Sequence, residues 1–402
     1  AAFQGCQYIT YLKLGKSVKT IGKNAFSGCS NIEEISGFPD TITSIGESSF
    51  EGCSTMKGIL TIPSSIETIG PKAFKNCYEL TGNLTFPSTI TIIGEETFYH
   101  CNNLESIRFS GKLTEIGSSA FYFCSSLSGT LSIPSSVTSI DANAFANCRK
   151  LEGPLSIPSS LKDIRYGTFQ NCESFTSISL PRDLESIGSY AFSGCSSLNC
   201  PLTIPNSVTF IGNGAFSGCG DLTSVTINSD YEDIPSYIFS DCESIQTLSL
   251  SNQIKTIGSN AFSGCKRLTT FNLPTSLTTI NEKAFYQCNL LSGRLSIPNT
   301  VTTIGSNAFE YCRSLTSLTL SNKLDTIEES TFSRCIGFSN DLEIPKSVTE
   351  IKSKAFYYCC NFTSLKFLGT DLTDIGSNAF YHCSSMSGEL KIPDEVSTLG
   401  YN

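Results

Sequence analysis

A cysteine recurs every 23 or 24 residues along the chain, at positions 6, 29, 53, 77, 101, 124, 148, 172, 195, 219, 242, 265, 288, 312, 335, 359 and 383. Three residues before each stands a phenylalanine, from Phe3 and Phe26 to Phe356 and Phe380. Eight residues before each, from Cys29 onward, stands an isoleucine: Ile21, Ile45, Ile69, Ile93 and so on to Ile375. Three registers in step mark a stacked repeat, in which no unit can bury its apolar side except against its neighbours. By length alone, 402 residues suggest two or three globular domains. The period replaces that expectation with a single solenoid over 1–402, about 17 units long and cut within a repeat at both ends.

One unit, from Leu268 to Cys288, shows the local logic. Leu268-x-x-Phe271-x-Leu273 ends in two-residue alternation and reads as a short strand, which Pro274 and the Thr and Ser after it stop and turn. Leu277-x-x-Ile280 returns to the core, and Ala284-Phe285-x-x-Cys288 fills the corner. Stacked units of this kind predict a parallel sheet with strands about 4.7–4.9 Å apart and few or no long helices. Small residues such as Ala25, Ala73, Ala120 and Ala261 precede most ladder phenylalanines. Ile238 is bulky there, beside the irregular Tyr231-Glu232-Asp233-Ile234-Pro235, and predicts a local distortion. A glycine five residues past the cysteine at Gly58, Gly82, Gly129, Gly153, Gly293 and Gly388 marks an inserted residue and predicts a bulge with positive φ. Asn340 at the same place is expected to behave alike, and Cys200 breaks the rule.

The run Ile-Pro-Ser-Ser-Val-Thr-Ser-Ile-Asp-Ala-Asn-Ala-Phe-Ala-Asn-Cys-Arg-Lys-Leu, Ile133 to Leu151, resembles the unit of the BspA-like leucine-rich repeat family. The resemblance covers the whole chain, since Ile-Pro, an x-Ile-Gly turn and Ala-Phe-x-x-Cys-x-x-Leu recur in register. It implies a right-handed leucine-rich-repeat coil and a cell-surface or secreted protein that adheres to host matrix proteins or other cells. It carries no catalytic residues. Asp141, Arg165, Pro235, Asn281, Glu328 and Lys352 depart from the pattern where glycine is expected after the isoleucine.

Composition narrows function further. With 27 Lys+Arg against 36 Asp+Glu and a net charge of −9, the chain lacks the basic surface that phosphate backbones demand. No apolar run approaches the roughly 18–20 residues that span a bilayer. Ala1-Ala2-Phe3 shows neither an initiator Met nor a leader pattern, so any targeting segment is expected to have been removed or to lie elsewhere. Two histidines, His100 and His382, share the setting Tyr-His-Cys and read as polar loop residues. There is no Gly-rich nucleotide loop and no paired-acid motif in a supporting context, so neither an enzyme nor a cofactor is expected.

The expected partners are protein or glycan ligands, extracellular matrix among them, engaged across a long repetitive face. The alternative is a structural element that self-associates end to end, since both chain ends fall inside a unit. Corner aromatics supply candidate contacts. Tyr99, Tyr122 and Phe123 lie on adjacent units, and Tyr286, Tyr311, Tyr357, Tyr358 and Tyr381 gather toward the other end; they read either as interface anchors or as rings stacking on one another. Ser132, Ser156, Ser179, Thr203, Thr226, Ser249, Ser296 and Thr319 predict a hydroxyl lattice along the sheet. It reads either as the β-propensity of solvated Thr and Ser or as a surface for glycans or ordered water such as ice, and Arg108, Glu343, Lys366 and Lys391, which interrupt it, weigh against ice. Ladder cysteines are expected to be buried free thiols acting as small hydrophobes, since zinc sites want ligand pairs a few residues apart. Cys200 and Cys360, off the ladder, are candidate reactive thiols or intermolecular links. Asn83-Leu84-Thr85 and Asn361-Phe362-Thr363 are glycosylation sequons.

Overall fold

The computed structural model describes residues 1–227 and 231–401. It is a parallel-strand β-solenoid of about 17 turns, without helices among the described residues. Its packing divides into two compact units, Ala1–Asn199 and Cys200–Asn402. Both are built from the same coil.

Each coil contributes up to two short strands. On the broader face, Gly153–Ser156 pairs in parallel with Phe175–Ser179 in the first unit, and Pro201–Ile204, Ser224–Ile227 and Thr247–Leu250 pair in sequence in the second. The narrower face is a ribbon of two-residue strands ending in the recurrent isoleucine, such as Thr256–Ile257, Thr279–Ile280 and Thr303–Ile304. Between them the chain turns a corner by alternating two kinds of hydrogen bond. Cys29 N–H closes a turn onto Phe26 O, whereas Asn24, Phe26 and Gly28 send their N–H groups to Glu47, Ser49 and Glu51 of the next coil. Aiming those groups along the stack requires left-handed backbone twice per corner, at the residues one and five before the cysteine. Among the described residues every non-glycine residue with positive φ occupies one of these two positions, Asn24 and Tyr358 among them.

The core is a column of phenylalanine rings. In the first unit centroids are 5.4 Å apart from Phe3 to Phe26 and 5.5 Å from Phe169 to Phe192; in the second, 5.6 Å from Phe216 to Phe239 and 5.3 Å from Phe356 to Phe380. Fully burying each such ring stabilises by about 1.5–3 kcal/mol, and rings such as Phe121 and Phe262 are fully buried. The cysteines do more than fill space. Ladder thiols donate to the phenylalanine carbonyl of the preceding coil, as Cys148 Sγ does to Phe121 O at 3.1 Å. Hydroxyls after the recurrent proline hook coils together similarly: Ser136 Oγ donates to Leu113 O at 2.6 Å, and Ser276 Oγ to Ile254 O at 2.6 Å.

Glycine has two separate jobs. Gly58, Gly82, Gly129, Gly153, Gly293 and Gly388 all have positive φ, and the strand register shifts at Gly82, Gly153 and Gly293, as the inserted residue predicts. The glycine after the isoleucine instead permits close approach. A Cβ on Gly70 would collide with the Glu47 backbone nitrogen of the preceding coil. Asn340 departs from expectation: it is not left-handed, and its carboxamide turns inward to bond Leu318 N–H and C=O, both at 3.2 Å. The distortion expected at Ile238 amounts to a wider ring spacing, 5.9 Å from Phe239 to Phe262.

The hydroxyl lattice is in register but not continuous. Ser156 faces Ser179, Thr203 faces Thr226 and then Ser249, and Ser296 faces Thr319. Ser132 lies outside any strand, because the coil that carries it does not pair there.

Candidate functional site

The residue before each ladder cysteine has the same left-handed backbone in every coil, from Gly5 at 72° to His382 at 57°. Glycine takes the position at 28, 52, 194, 218 and 264, and asparagine at 76, 147 and 171, the residues that adopt it at least cost. Rings stand there at His100, Phe123, Tyr311, Tyr358 and His382. Left-handed backbone costs a bulky residue roughly 1–2 kcal/mol, so these rings sit where the fold alone would favour glycine.

In the first unit they build a two-by-two block. Tyr99 stacks on Tyr122 at 5.0 Å and His100 on Phe123 at 4.7 Å, with planes within 10° and 8°. Tyr78 meets His100 edge-on, and the Lys75 ammonium lies 5.0 Å from the centre of the Tyr99 ring while bonding Glu96 at 2.6 Å. Burial lowers the His100 pKa below the usual imidazole value, and the Lys75 charge lowers it further against a hydrogen bond to Asn102. Burial likewise raises the Tyr99 phenol, with Tyr122 adding to the effect.

The second unit carries a longer column, Tyr311, Arg334, Tyr358 and His382 on successive coils. The Arg334 guanidinium lies 5.3 Å from the Tyr311 ring and 5.2 Å from Tyr358, and Tyr358 stacks on His382 at 4.6 Å. Beside it Tyr357 stacks on Tyr381 at 5.2 Å, Arg313 covers Tyr311 at 5.3 Å, and Tyr286 meets Tyr311 edge-on. The eight candidate aromatics thus fall into two clusters, and in each the rings stack between coils. With ring faces already occupied, both clusters offer ring edges, phenol hydroxyls and cations, a surface suited to carbonyl, carboxylate and hydroxyl groups.

His100 and His382, polar loop residues by sequence, are both members of ring stacks, and Arg334 and Lys75 join these clusters without being among the sequence-based candidates. Tabulating each residue by its distance from the cysteine would have found all four, since each stands one or two places before it.

Other candidates lie apart from these clusters. All cysteines are free, and those from Cys29 to Cys359 on the ladder are buried. Burial pushes Cys53 and Cys195 up to about 12. Cys200 and Cys360 are part-exposed, and so are the ladder thiols Cys6 and Cys383. Both sequon asparagines are exposed. Asn83 accepts from Ser106 at 2.6 Å, whereas Asn361 donates its amide to Ile336 O at 2.8 Å. Among the described residues no three His, Cys, Asp or Glu side chains converge as for a metal, and no helix is long and apolar enough to cross a membrane.

A stacked parallel coil with a constant interior and variable corners is a leucine-rich-repeat solenoid. The chain belongs to the BspA type leucine rich repeat region family, whose model matches in six copies over residues 1–128, 58–176, 129–200, 162–292 and 291–402. Among solved structures it is similar to a leucine rich cell surface protein of Faecalibacterium prausnitzii, at 26% identity and TM-score 0.51 over 82% of this chain and 86% of that one. A leucine-rich repeat protein of Bacteroides ovatus shares the fold at 24% identity and TM-score 0.51, over 93% of this chain and 85% of that one. No curated protein matches the chain.

Proposed function

We propose that this chain is a non-enzymatic recognition protein, displayed at the cell surface or secreted, whose aromatic corners bind protein or glycan partners such as matrix glycoproteins. Membership of the family and likeness to a cell surface protein support the location. The observation that carries the binding role is the placing of Phe123, Tyr311, Tyr358 and both histidines on left-handed backbone where other coils use glycine. Strain kept at partly exposed positions points to selection for something other than stability. Affinity is then expected to accumulate from several weak contacts along the coils. Replacing Tyr357, Tyr358 and Tyr381 together with Ser is expected to weaken binding to immobilised matrix glycoproteins or to cells, with an unchanged circular-dichroism spectrum. Undiminished binding by that folded variant would refute the role of this cluster.

A further inference from the structure

The broader face contains an unfilled strand edge. In a parallel sheet, alternate residues direct both N–H and C=O to the same neighbouring strand. Phe86 N–H donates to Arg108 O, so Arg108 of Leu104–Arg108 faces back toward Leu80–Thr85, and Ile107 faces forward. The following coil carries the inserted Gly129. Ser128 N–H still reaches Glu105 O at 2.9 Å, and there the two coils part. Among the described residues no hydrogen bond joins Ile107 N–H or C=O to the following coil. A groove of about 660 Å³ opens between 106–109 and 128–134. Ile107 is left part-exposed, as is Ile178 at the last strand of its own sheet, whereas Leu84, Leu155, Leu202 and Leu318 in the same register are buried.

The molecule itself shows what such an edge accepts. Where the same parting occurs at Leu318, Asn340 fills it: Nδ2 donates to Leu318 O and Oδ1 accepts from Leu318 N–H. A carboxamide stands there in place of the next strand's peptide group. Ile211 is served comparably by the Tyr231 hydroxyl, at 3.2 Å from its nitrogen and 3.1 Å from its oxygen. Gly129 is the counterpart of Asn340, five residues past its cysteine, and has no side chain to offer. Charge indicates the rest. Arg108 is the only charged residue lining the groove and is in no ion pair among the described residues, in a chain of net charge −9.

We propose that this groove binds an extended acidic peptide segment by strand addition onto Ile107, with Arg108 holding a carboxylate of the incoming strand. The inference is independent of the aromatic corners.

The probe is a fluorescein-labelled, N-acetylated peptide of alternating Val and Asp, followed by anisotropy against the full chain, with a Val-Lys peptide and a backbone N-methylated Val-Asp peptide as comparisons. The Val-Asp peptide is expected to bind, and N-methylation, which removes backbone donors, to weaken it about ten-fold. Arg108→Glu should invert the preference toward Val-Lys. Gly129→Asn, which supplies the missing carboxamide, should abolish binding, and Gly129→Ala, which shares its backbone cost without the amide, should retain it. Asn340→Gly should uncover a second site at Leu318. Peptide binding indifferent to both Arg108→Glu and Gly129→Asn would overturn the proposal. So would a neutral glucan oligosaccharide that binds in a Gly129→Asn-sensitive manner while the peptides do not.

Discussion

Two columns of rings run along each unit only a few atoms apart, and they obey opposite rules. The inner column, three residues before the cysteine, is phenylalanine in every coil, buried in all but the first and last, and stacked at 5.3–5.9 Å. The corner column, one residue before it, is glycine or asparagine in many coils and aromatic or cationic in two stretches, again stacked, as at 4.7 Å from His100 to Phe123. Spacing and chemistry are alike; the environment differs. Burial makes each inner ring indispensable to two neighbours, whereas a corner ring gains only an exposed stacking contact against an unfavourable backbone. Stacking geometry by itself therefore says little about whether a ring holds the fold.

The largest expected difference is in stability. Phe262→Ala, which removes a ring between Phe239 and Phe285, should cost about 3–5 kcal/mol. Because contacts run only between neighbours, part of the second unit should persist, detectable as a multistep denaturant transition; loss in one step would break the nearest-neighbour picture. Thiol labelling separates interior from edge next. Under native conditions Cys200 and Cys360 should react first, then Cys6, with Cys383 slowed because burial raises its thiol to about 12. Early alkylation of Cys124 or Cys265 would mean that the inner column opens.

Tyr358→Gly tests the corner. It relieves roughly 1–2 kcal/mol of left-handed strain, forfeits about 0.5–1.5 kcal/mol of stacking and adds about 0.5–1 kcal/mol of unfolded-chain freedom. The net change in chemical-denaturation free energy should stay within about 1 kcal/mol, and a loss as large as that of Phe262→Ala would erase the distinction between the columns. The smallest effect is in pH. The His100 pKa is lowered from 6.5 mainly by burial, so the unfolded chain binds the proton more readily. The contribution of His100 is thus fully present above about pH 6.5 and is lost as pH falls toward the folded value. His100→Phe, which copies Phe123 in the next coil, should flatten that part of the stability profile between pH 5 and 7.

Much of this architecture is legible in the sequence. The Phe, Ile and Cys registers give the coil, its parallel pairing and the inner column, because a buried position in a stack repeats with the period and tolerates few residues. The bulges at Gly82, Gly153 and Gly293 were equally readable, since an added residue changes the count. Side chains that act across coils were not. Nothing local distinguishes Asn340, which bonds Leu318, from an asparagine filling a turn, and the stacks of His100 and Arg334 join residues a full repeat apart. The hydroxyl lattice was overread because its register is right while the pairing that would make it continuous lapses at Ser132.

The corner backbone holds one conformation whether its occupant is Gly28, Asn76, Phe123, Arg334 or His382. It behaves as a socket whose shape is set by the hydrogen bonds on either side, not by what is plugged into it. A codon change at one socket leaves neighbouring sockets as they were, so the displayed pattern can drift coil by coil while the scaffold stays put. Single substitutions can therefore change the exposed corner chemistry one coil at a time, with no intermediate that must first misfold.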